Sequence, residues 1–445
     1  MKHPELLVPA NNPEVFKEAV YYGADAIYIG GEVFGLRAKA KNFTREEMAE
    51  AVAFAHEHGV KVHVTVNILA HDEDLKDARE YLSELKEIGP DALIIADPGM
   101  YGLAKEICPE IDRHISTQAN NTNSLTYRFW YEQGAKRVVS ARELSLKEIK
   151  EIRANIPDEL EIESFIHGAM CISYSGRCLL SNYFTGRDAN HGECTHPCRW
   201  KYAVVEEQRP GEYLPVYENE RGTYIFNSKD LCMIEHIPEL MDAGIDSFKI
   251  EGRMKTALYV ATVARTYRRA IDDYMRDPSV YEANMDWYRE EIAKCTYRQF
   301  TTGFYFGKPS EEAQVYGSNT YINEYTYLGI VYETVDPAFN MGKGYASEIA
   351  AKAGRLHEDG TNADNSAYYV RTEQRNKFCR GDVIEIMKPD GRNIETVVEE
   401  IYDENWDKQD SAPHPKQTLF LKLSQPAEVY DILRCRTEDQ SSSIT

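Results

Sequence analysis

The alternation of short, apolar runs with longer amphipathic stretches restricts this chain to a narrow set of folds. The runs cover residues 5–8, 26–29, 62–66, 92–96, 114–116, 137–140 and 160–166, most of them rich in Ile and Val and bounded by Gly, Asn or Asp. Runs of this length and composition fit strands buried on both faces, as in a parallel sheet covered by helices. Amphipathic stretches lie between them, at 13–22, 44–58, 75–88 and 145–155. Two open as capping boxes, Thr44-x-x-Glu47 and Ser145-x-x-Glu148, which satisfy free amides at a helix start. Gly23, Gly59, Gly89 and Gly134 stand where four helices close.

An eighth run, 246–250, follows a helix predicted over 234–243 and precedes a long one predicted over 256–274. Eight strand–helix units predict an α/β fold, a closed (β/α)8 TIM-like barrel with a cysteine-rich insertion after the seventh strand. An open doubly wound sheet is the alternative. The count of eight, and the lack of a glycine-rich phosphate turn after the first strand, favour the barrel. From about residue 309 the texture changes to β-rich segments at 327–335, 367–372, 382–387, 395–401 and 418–423, with a turn at Pro389-Asp390-Gly391. The expected organisation is a barrel over 1–308 with its insertion at 168–232, a small β-barrel over 309–439, and a disordered tail at 440–445.

No run approaches the roughly 18 apolar residues of a membrane span, and MKHPELLVPA at the start lacks a signal peptide's apolar core. A cytoplasmic protein is expected, in a compartment where thiols stay reduced and clustered cysteines favour a metal site over disulfides. The net charge of −22 argues against nonspecific nucleic-acid binding. Between residues 168 and 202, however, Arg177, Arg187, Arg199 and Lys201 outnumber Asp188 and Glu193.

That same segment holds Cys171, Cys178, Cys194 and Cys198, four of the chain's nine cysteines. Their spacing, C-x6-C-x15-C-x3-C, is wider than the short paired hooks of zinc sites, and iron–sulfur clusters accept irregular thiolate spacing. A four-cysteine cluster is the first reading, with structural zinc or no metal as alternatives. Cys232 alone, at the start of a predicted helix, reads as a packing residue. A barrel's active site lies at the C-terminal ends of its strands, which carry Asn67, Asp97, Gln118, Arg142, His167, Glu251 and Arg253. His167, His191 and His196 lie near the cysteines and read as supporting or substrate contacts. Neither a G-x-S-x-G elbow nor an H-E-x-x-H helix is present. Nothing in the spacing favours a Cys171–His167 protease pair over cluster ligation.

The run ESFIHGAMCISYSGRCLLS resembles the signature of the collagenase-like family of unclassified peptidases. ELLVPA, GADAIYIG, STQAN (116–120), SARELS (140–145), CRWKY (198–202), RPGEY (209–213), NSKDLC (227–232) and KIEGRMK (249–255) extend the resemblance to about Gly307. Within that family, RPGEY, NSKDL and the β-rich tail are most similar to the branch of tRNA hydroxylation proteins. The resemblance implies hydroxylation of the wobble uridine to 5-hydroxyuridine without molecular oxygen, using a 4Fe–4S cluster, with prephenate implicated as the hydroxyl donor. It implies Cys171, Cys178, Cys194 and Cys232 as ligands, with Cys198 the competing fourth.

The implied partner is the tRNA anticodon loop, its base flipped out of the stack toward the barrel mouth. Arg37, Arg142, Lys249 and Arg253 are expected to clamp a dicarboxylate such as prephenate, or a phosphate. Salt bridging to Glu32, Glu143 or Glu251 is the alternative. His167, Glu163 and Arg142 are the candidates for catalysis, and Asn67, Gln118, Arg177 and Glu251 join the substrate contacts. A peptidase, a ribosomal RNA hydroxylase and a noncatalytic cluster-bearing partner are the competing functions. The sequence is silent on oligomeric state.

Overall fold

The computed structural model describes residues 2–35, 42–171, 173–200, 203–204, 214–215, 229–308, 321–335 and 368–437. Two compact units divide the chain, one of residues 1–292 with 297–322 and one of 293–296 with 323–445. The division falls beyond the boundary expected at 308, because Tyr297 and Ile322 form a β-bridge within the first unit. Arg37, RPGEY and the tail at 440–445 lie outside the described residues.

Seven parallel strands open the first unit: β1 (Glu5–Pro9), β2 (Ala26–Gly30), β3 (Lys61–Val66), β4 (Ala92–Ile95), β5 (Asp112–Ile115), β6 (Arg137–Val139) and β7 (Glu161–Ala169). After β7 the insertion carries the short strands β8 (Ala203–Val204) and β9 (Leu214–Pro215), followed by β10 (Asp230–Cys232) and then β11 (Ser247–Ile250). The barrel closes through β11, which pairs in parallel with both β7 (Ser247 opposite Glu163) and β1 (Phe248 opposite Leu6). No edge of the eight-stranded cylinder is left open. β10 runs antiparallel to the end of β7, and β12 (Phe300–Thr301) extends it.

Helices cover the outside: α1 (Pro13–Tyr21), α2 (Arg45–Glu57), α3 (Leu75–Ile88), α4 (Pro98–Ile107), α5 (Ser124–Gln133) and α6 (Leu146–Ala154). Both capping boxes form, on α2 and α6. A short helix, α7 (Leu180–Thr185), lies in the insertion. The helix expected over 234–243 begins as a 3-10 turn (Ile234–His236) and becomes α-helical only in α8 (Ile237–Asp242), where a proline occupies the first turn. α9 (Ala257–Arg276) packs its apolar face on α1 and β1.

The second unit is an antiparallel β domain with strands β13 (Tyr325–Ile330), β14 (Glu333–Thr334), β15 (Tyr369–Glu373), β16 (Val383–Met387), β17 (Asn393–Tyr402), β18 (Lys408–Gln409), β19 (Thr418–Leu423) and β20 (Ile432–Arg436). Their order is β13-β20-β16-β17-β19-β15-β14, with β18 on β17. β17 joins both halves, and its register with β19 shifts between Val398 and Glu400. Such an irregularity bends a strand, so that side chains from β13, β15, β16, β17, β19 and β20 meet in one core.

Candidate active site at the barrel mouth

The C-terminal ends of the strands and the start of the insertion surround one cavity. Cys171, Cys178, Cys194 and Cys198 line it, together with Asn67, Gln118, Arg142, Lys249, Glu251 and Arg253. The polypeptide between the cysteines is tied down by short polar contacts. Thr195 N–H donates to Ser181 Oγ at 2.7 Å, and Asn190 Nδ2 donates to the Cys178 carbonyl at 3.3 Å. Leu69 N–H, after β3, donates to the Asn190 carbonyl at 3.3 Å, which anchors the insertion to the barrel. Arg177 is exposed outside the cavity, and its Nε donates to Asn120 Oδ1 at 2.7 Å. Asn120 Nδ2 in turn donates to the Ser175 carbonyl at 2.9 Å, so Arg177 pins the loop carrying Cys171 and Cys178.

The guanidinium groups are held by the barrel itself. Arg142 lies 3.9 Å over the Phe165 ring, donates to the Ala169 carbonyl at 2.7 Å and pairs with Glu251 at 3.1 Å. Arg253 donates to Thr65 Oγ1 at 3.0 Å and Asn42 Oδ1 at 2.9 Å. Salt bridging to Glu251 thus accompanies, for Arg142, a place in the cavity lining. At this surface Gln118 Oε1, Arg142 Nε and Ser173 Oγ are buried without a hydrogen-bond partner. Buried polar groups are almost always bonded, so an acceptor and two donors stand ready for a ligand.

A charged network lies beneath the cavity. Lys249 Nζ, in the cavity floor and 4.5 Å from the Tyr28 ring centre, pairs with Glu163 at 2.6 Å. Arg137 bonds to the other Glu163 oxygen and also to Glu5 and Glu161. Burial alone would raise the Glu5 pKa, but the Arg137 guanidinium, helped by His63, holds it at about 2. Burial pushes His63 down to about 4 and His114 well below its usual value. His63, His114 and Glu163 are the one set of potential ligand atoms mutually within 4.8 Å among the described residues. The carboxylate already serves two cations, which would repel a divalent ion, so the set reads as a structural charge network.

Besides Arg177, and Asp97, which caps α4 by accepting from Met100 N–H at 2.9 Å, three expected groups lie away from the cavity lining. Glu163 is fully buried below it and reaches it only through Lys249. His167 faces α9 instead of the barrel mouth, against Tyr259, Tyr267 and Phe300. The cause is a register shift between β7 and β11, which sets Lys249 opposite Phe165 but Ile250 opposite His167. That extra residue turns the side chain out of the alternation carried by Glu163 and Phe165. Burial lowers the His167 pKa to about 3. Cys232 pairs across the ladder with His167 and shares its face, with Sγ 3.8 Å from the Tyr267 hydroxyl. Burial of that sulfur pushes its pKa up to about 12. Cys198 lines the cavity and Cys232 does not. Of the histidines near the cysteines, His196 joins the lining and His191 pairs with Asp74 at 3.1 Å.

Sequence reading missed Tyr28, Thr65 and Phe165, which complete the floor. Their signal is the inward alternation of their strands, which marks them equally as core.

By fold and site, the chain is a (β/α)8-barrel protein with thiols and charged side chains gathered at the C-terminal mouth. It belongs to peptidase family U32, whose description matches residues 11–315, and the family's C-terminal domain matches residues 360–434. It is 40% identical to "tRNA hydroxylation protein P1" of Bacillus subtilis over 97% of this chain and 95% of the relative. Identity to "tRNA hydroxylation protein P" of Escherichia coli is 36%, over 96% of each. The E. coli "23S rRNA 5-hydroxycytidine C2501 synthase" is 40% identical over 60% of this chain and 39% of that protein. No helix among the described residues is long and apolar enough to cross a membrane.

Proposed function

We propose that this protein is an RNA hydroxylase that converts the wobble uridine of the tRNA anticodon loop to 5-hydroxyuridine without molecular oxygen, in the cytoplasm. The observation that carries the reading is the joint lining of one cavity by thiols, guanidinium groups and an ammonium. The names of the relatives supply the RNA. Replacing C5–H by C5–OH oxidises the base by two electrons, and no side chain can supply the oxygen. Prephenate, a small dicarboxylate, would give up the hydroxyl group and in turn take the two electrons and the displaced hydrogen, so that base–H and HO–R give base–OH and H–R. A 4Fe–4S cluster would mediate that electron transfer.

The donor set fits the cluster: Cys171, Cys178 and Cys194 would hold three corners. Two thiols compete for the fourth, Cys198 by its place in the cavity and Cys232 by resemblance. The chain's own groups bind and orient. Lys249, Arg253 and Arg142 fix the two carboxylates. Gln118 Oε1 accepts the uracil N3–H and Arg142 Nε donates to a ring carbonyl, a pairing that cytosine, with an acceptor at N3, lacks.

The test is an iron and sulfide assay on anaerobically purified protein, wild type against Cys178→Ala, Cys198→Ala and Cys232→Ala. It is joined to mass spectrometry of tRNA from a deletion strain. Loss of iron in Cys178→Ala and in one of the other two, with loss of 5-hydroxyuridine in the strain, is expected. Iron-free wild-type protein, or modification unchanged in a strain lacking paralogues, would overturn the reading.

A further inference from the structure

Fourteen large apolar side chains are exposed among the described residues, and five of them fall within residues 174–200: Tyr174, Leu179, Tyr183, Phe184 and Trp200. Four of the five are aromatic. Tyr183 is 83% exposed and Trp200 45%. Phe184 bridges them, its ring centre 5.1 Å from that of Tyr183 and 6.2 Å from that of Trp200. The remaining aromatic, Tyr174, lines the cavity itself, as does Cys198, two residues before Trp200. Arg177 and Arg187 are exposed on the same segment, in a chain whose net charge is −22.

Nothing in the cavity's chemistry uses these rings, and leaving them in water is unfavourable. α7, which carries Tyr183 and Phe184, has six residues and buries only Ser181, so the packing of this helix does not account for the exposure of Tyr183.

We propose that this aromatic face of the insertion is a stacking platform for unpaired nucleotides of the RNA strand on either side of the base that enters the cavity. The inference rests on the RNA reading above and deepens it. Every base has a π-face, so a row of flat rings binds single-stranded RNA with little sequence preference, while interleaved arginines meet phosphates. Aromatic rings with arginines also occur at peptide-docking and lipid-facing surfaces; the local excess of arginine in an acidic chain and the RNA reading of the adjoining cavity select the nucleic acid. A flipped base also leaves its neighbours unstacked, and rings beside the cavity offer them a replacement surface. The strongly acidic remainder of the chain repels the strand elsewhere and confines it to this segment.

The test uses the full chain and an unmodified tRNA transcript, with an RNA duplex and anionic phospholipid vesicles as comparison probes. Tyr183→Ala and Phe184→Ala are expected to raise the Kd for the transcript about tenfold each, with the salt dependence unchanged. Arg187→Ala is expected to weaken binding with a shallower salt dependence. Quenching of tryptophan fluorescence on binding is expected in the wild type and lost in Trp200→Phe. These positions are exposed, so unchanged thermal denaturation of each variant is the control for folding. Wild-type affinity in both alanine variants overturns the platform while the RNA reading stands. Failure of the wild-type protein to bind the transcript overturns both. Vesicle or duplex binding that is equally strong and equally sensitive to the alanines reassigns the face and overturns the platform.

Discussion

Lys249 Nζ stands 2.6 Å from one oxygen of Glu163, and the other oxygen of that carboxylate lies 3.2 Å from Arg137. All three side chains are buried. Removing one partner of a buried pair leaves an uncompensated charge at a cost of about 3–5 kcal/mol. Glu163→Gln keeps the volume but strands two cations, so it is expected to lose stability in that range in a denaturant titration. Glu163→Gln combined with Lys249→Met should recover part of the loss, since Arg137 retains Glu5 and Glu161. A Glu163→Gln protein as stable as the wild type would show that the network is not holding the barrel floor.

Buried neutral histidines make the barrel acid-sensitive. His63 titrates near 4 and His167 near 3 in the folded chain because burial disfavours their charged forms, and His114 is shifted the same way. In the unfolded chain histidine titrates near 6.5. Between these values the unfolded state binds more protons, so stability rises with pH through that window and falls as pH drops below about 6.5. His63 alone accounts for about 3 kcal/mol between pH 6.5 and 4. Denaturation midpoints measured from pH 7 to 4 should fall steeply. His63→Gln, which cannot charge, should flatten the fall.

The barrel was legible because its strands bury both faces. Val62, Val64 and Val66, or Leu93, Ile94 and Ile95, leave no other home for such runs. Gly23, Gly59, Gly89 and Gly134 adopt φ values of 99°, 72°, 71° and 95° after their helices, a conformation open chiefly to glycine. Asn67, Gln118, Arg142, Glu251 and Arg253 followed from strand ends alone. The faces of His167 and Cys232 were not legible. Both depend on one extra residue between Phe165 and His167, and period-two reading carries no mark of a bulge. The charge network was missed for a related reason. His63, His114 and Arg137 come from three strands, and only the closed register brings them together.

In the second unit Arg434 is fully buried, with Nε donating to Glu385 at 2.7 Å and Nη2 to Asn393 at 3.2 Å. Arg434→Met leaves Glu385 only the longer contact with Lys294 at 3.5 Å. It is expected to cost about 3 kcal/mol. Trp406, buried against Phe420 with ring centres 4.3 Å apart, reports on this unit. Its fluorescence, in a variant whose other tryptophans are phenylalanine, should show a lower denaturation midpoint. Glu385→Leu added to Arg434→Met should restore part of the loss, because the carboxylate is removed with its guanidinium while Lys294 loses its 3.5 Å contact.

Gly168 joins the barrel to the cysteine-bearing loop, and its geometry admits no side chain. Its φ is 108°, and a Cβ there would lie 2.4 Å from the Glu251 carbonyl oxygen and 2.9 Å from Glu251 Cβ. The first contact is with backbone, so no rotamer change relieves it. The strand end carrying Glu251, or the one carrying Ala169, has to move. Either shift breaks the arrangement at the mouth, since Arg142 bonds to both the Ala169 carbonyl and Glu251. Gly168→Ala therefore combines left-handed backbone strain of about 1–3 kcal/mol with displacement of Arg142, Glu251 and Cys171. The proposed uridine hydroxylation should fall at least 100-fold, as misplacement by about 1 Å does for oriented reactants, while far-ultraviolet circular dichroism keeps its barrel signature. A Gly168→Ala protein with wild-type turnover would mean that the cavity at this strand end is not where the reaction occurs.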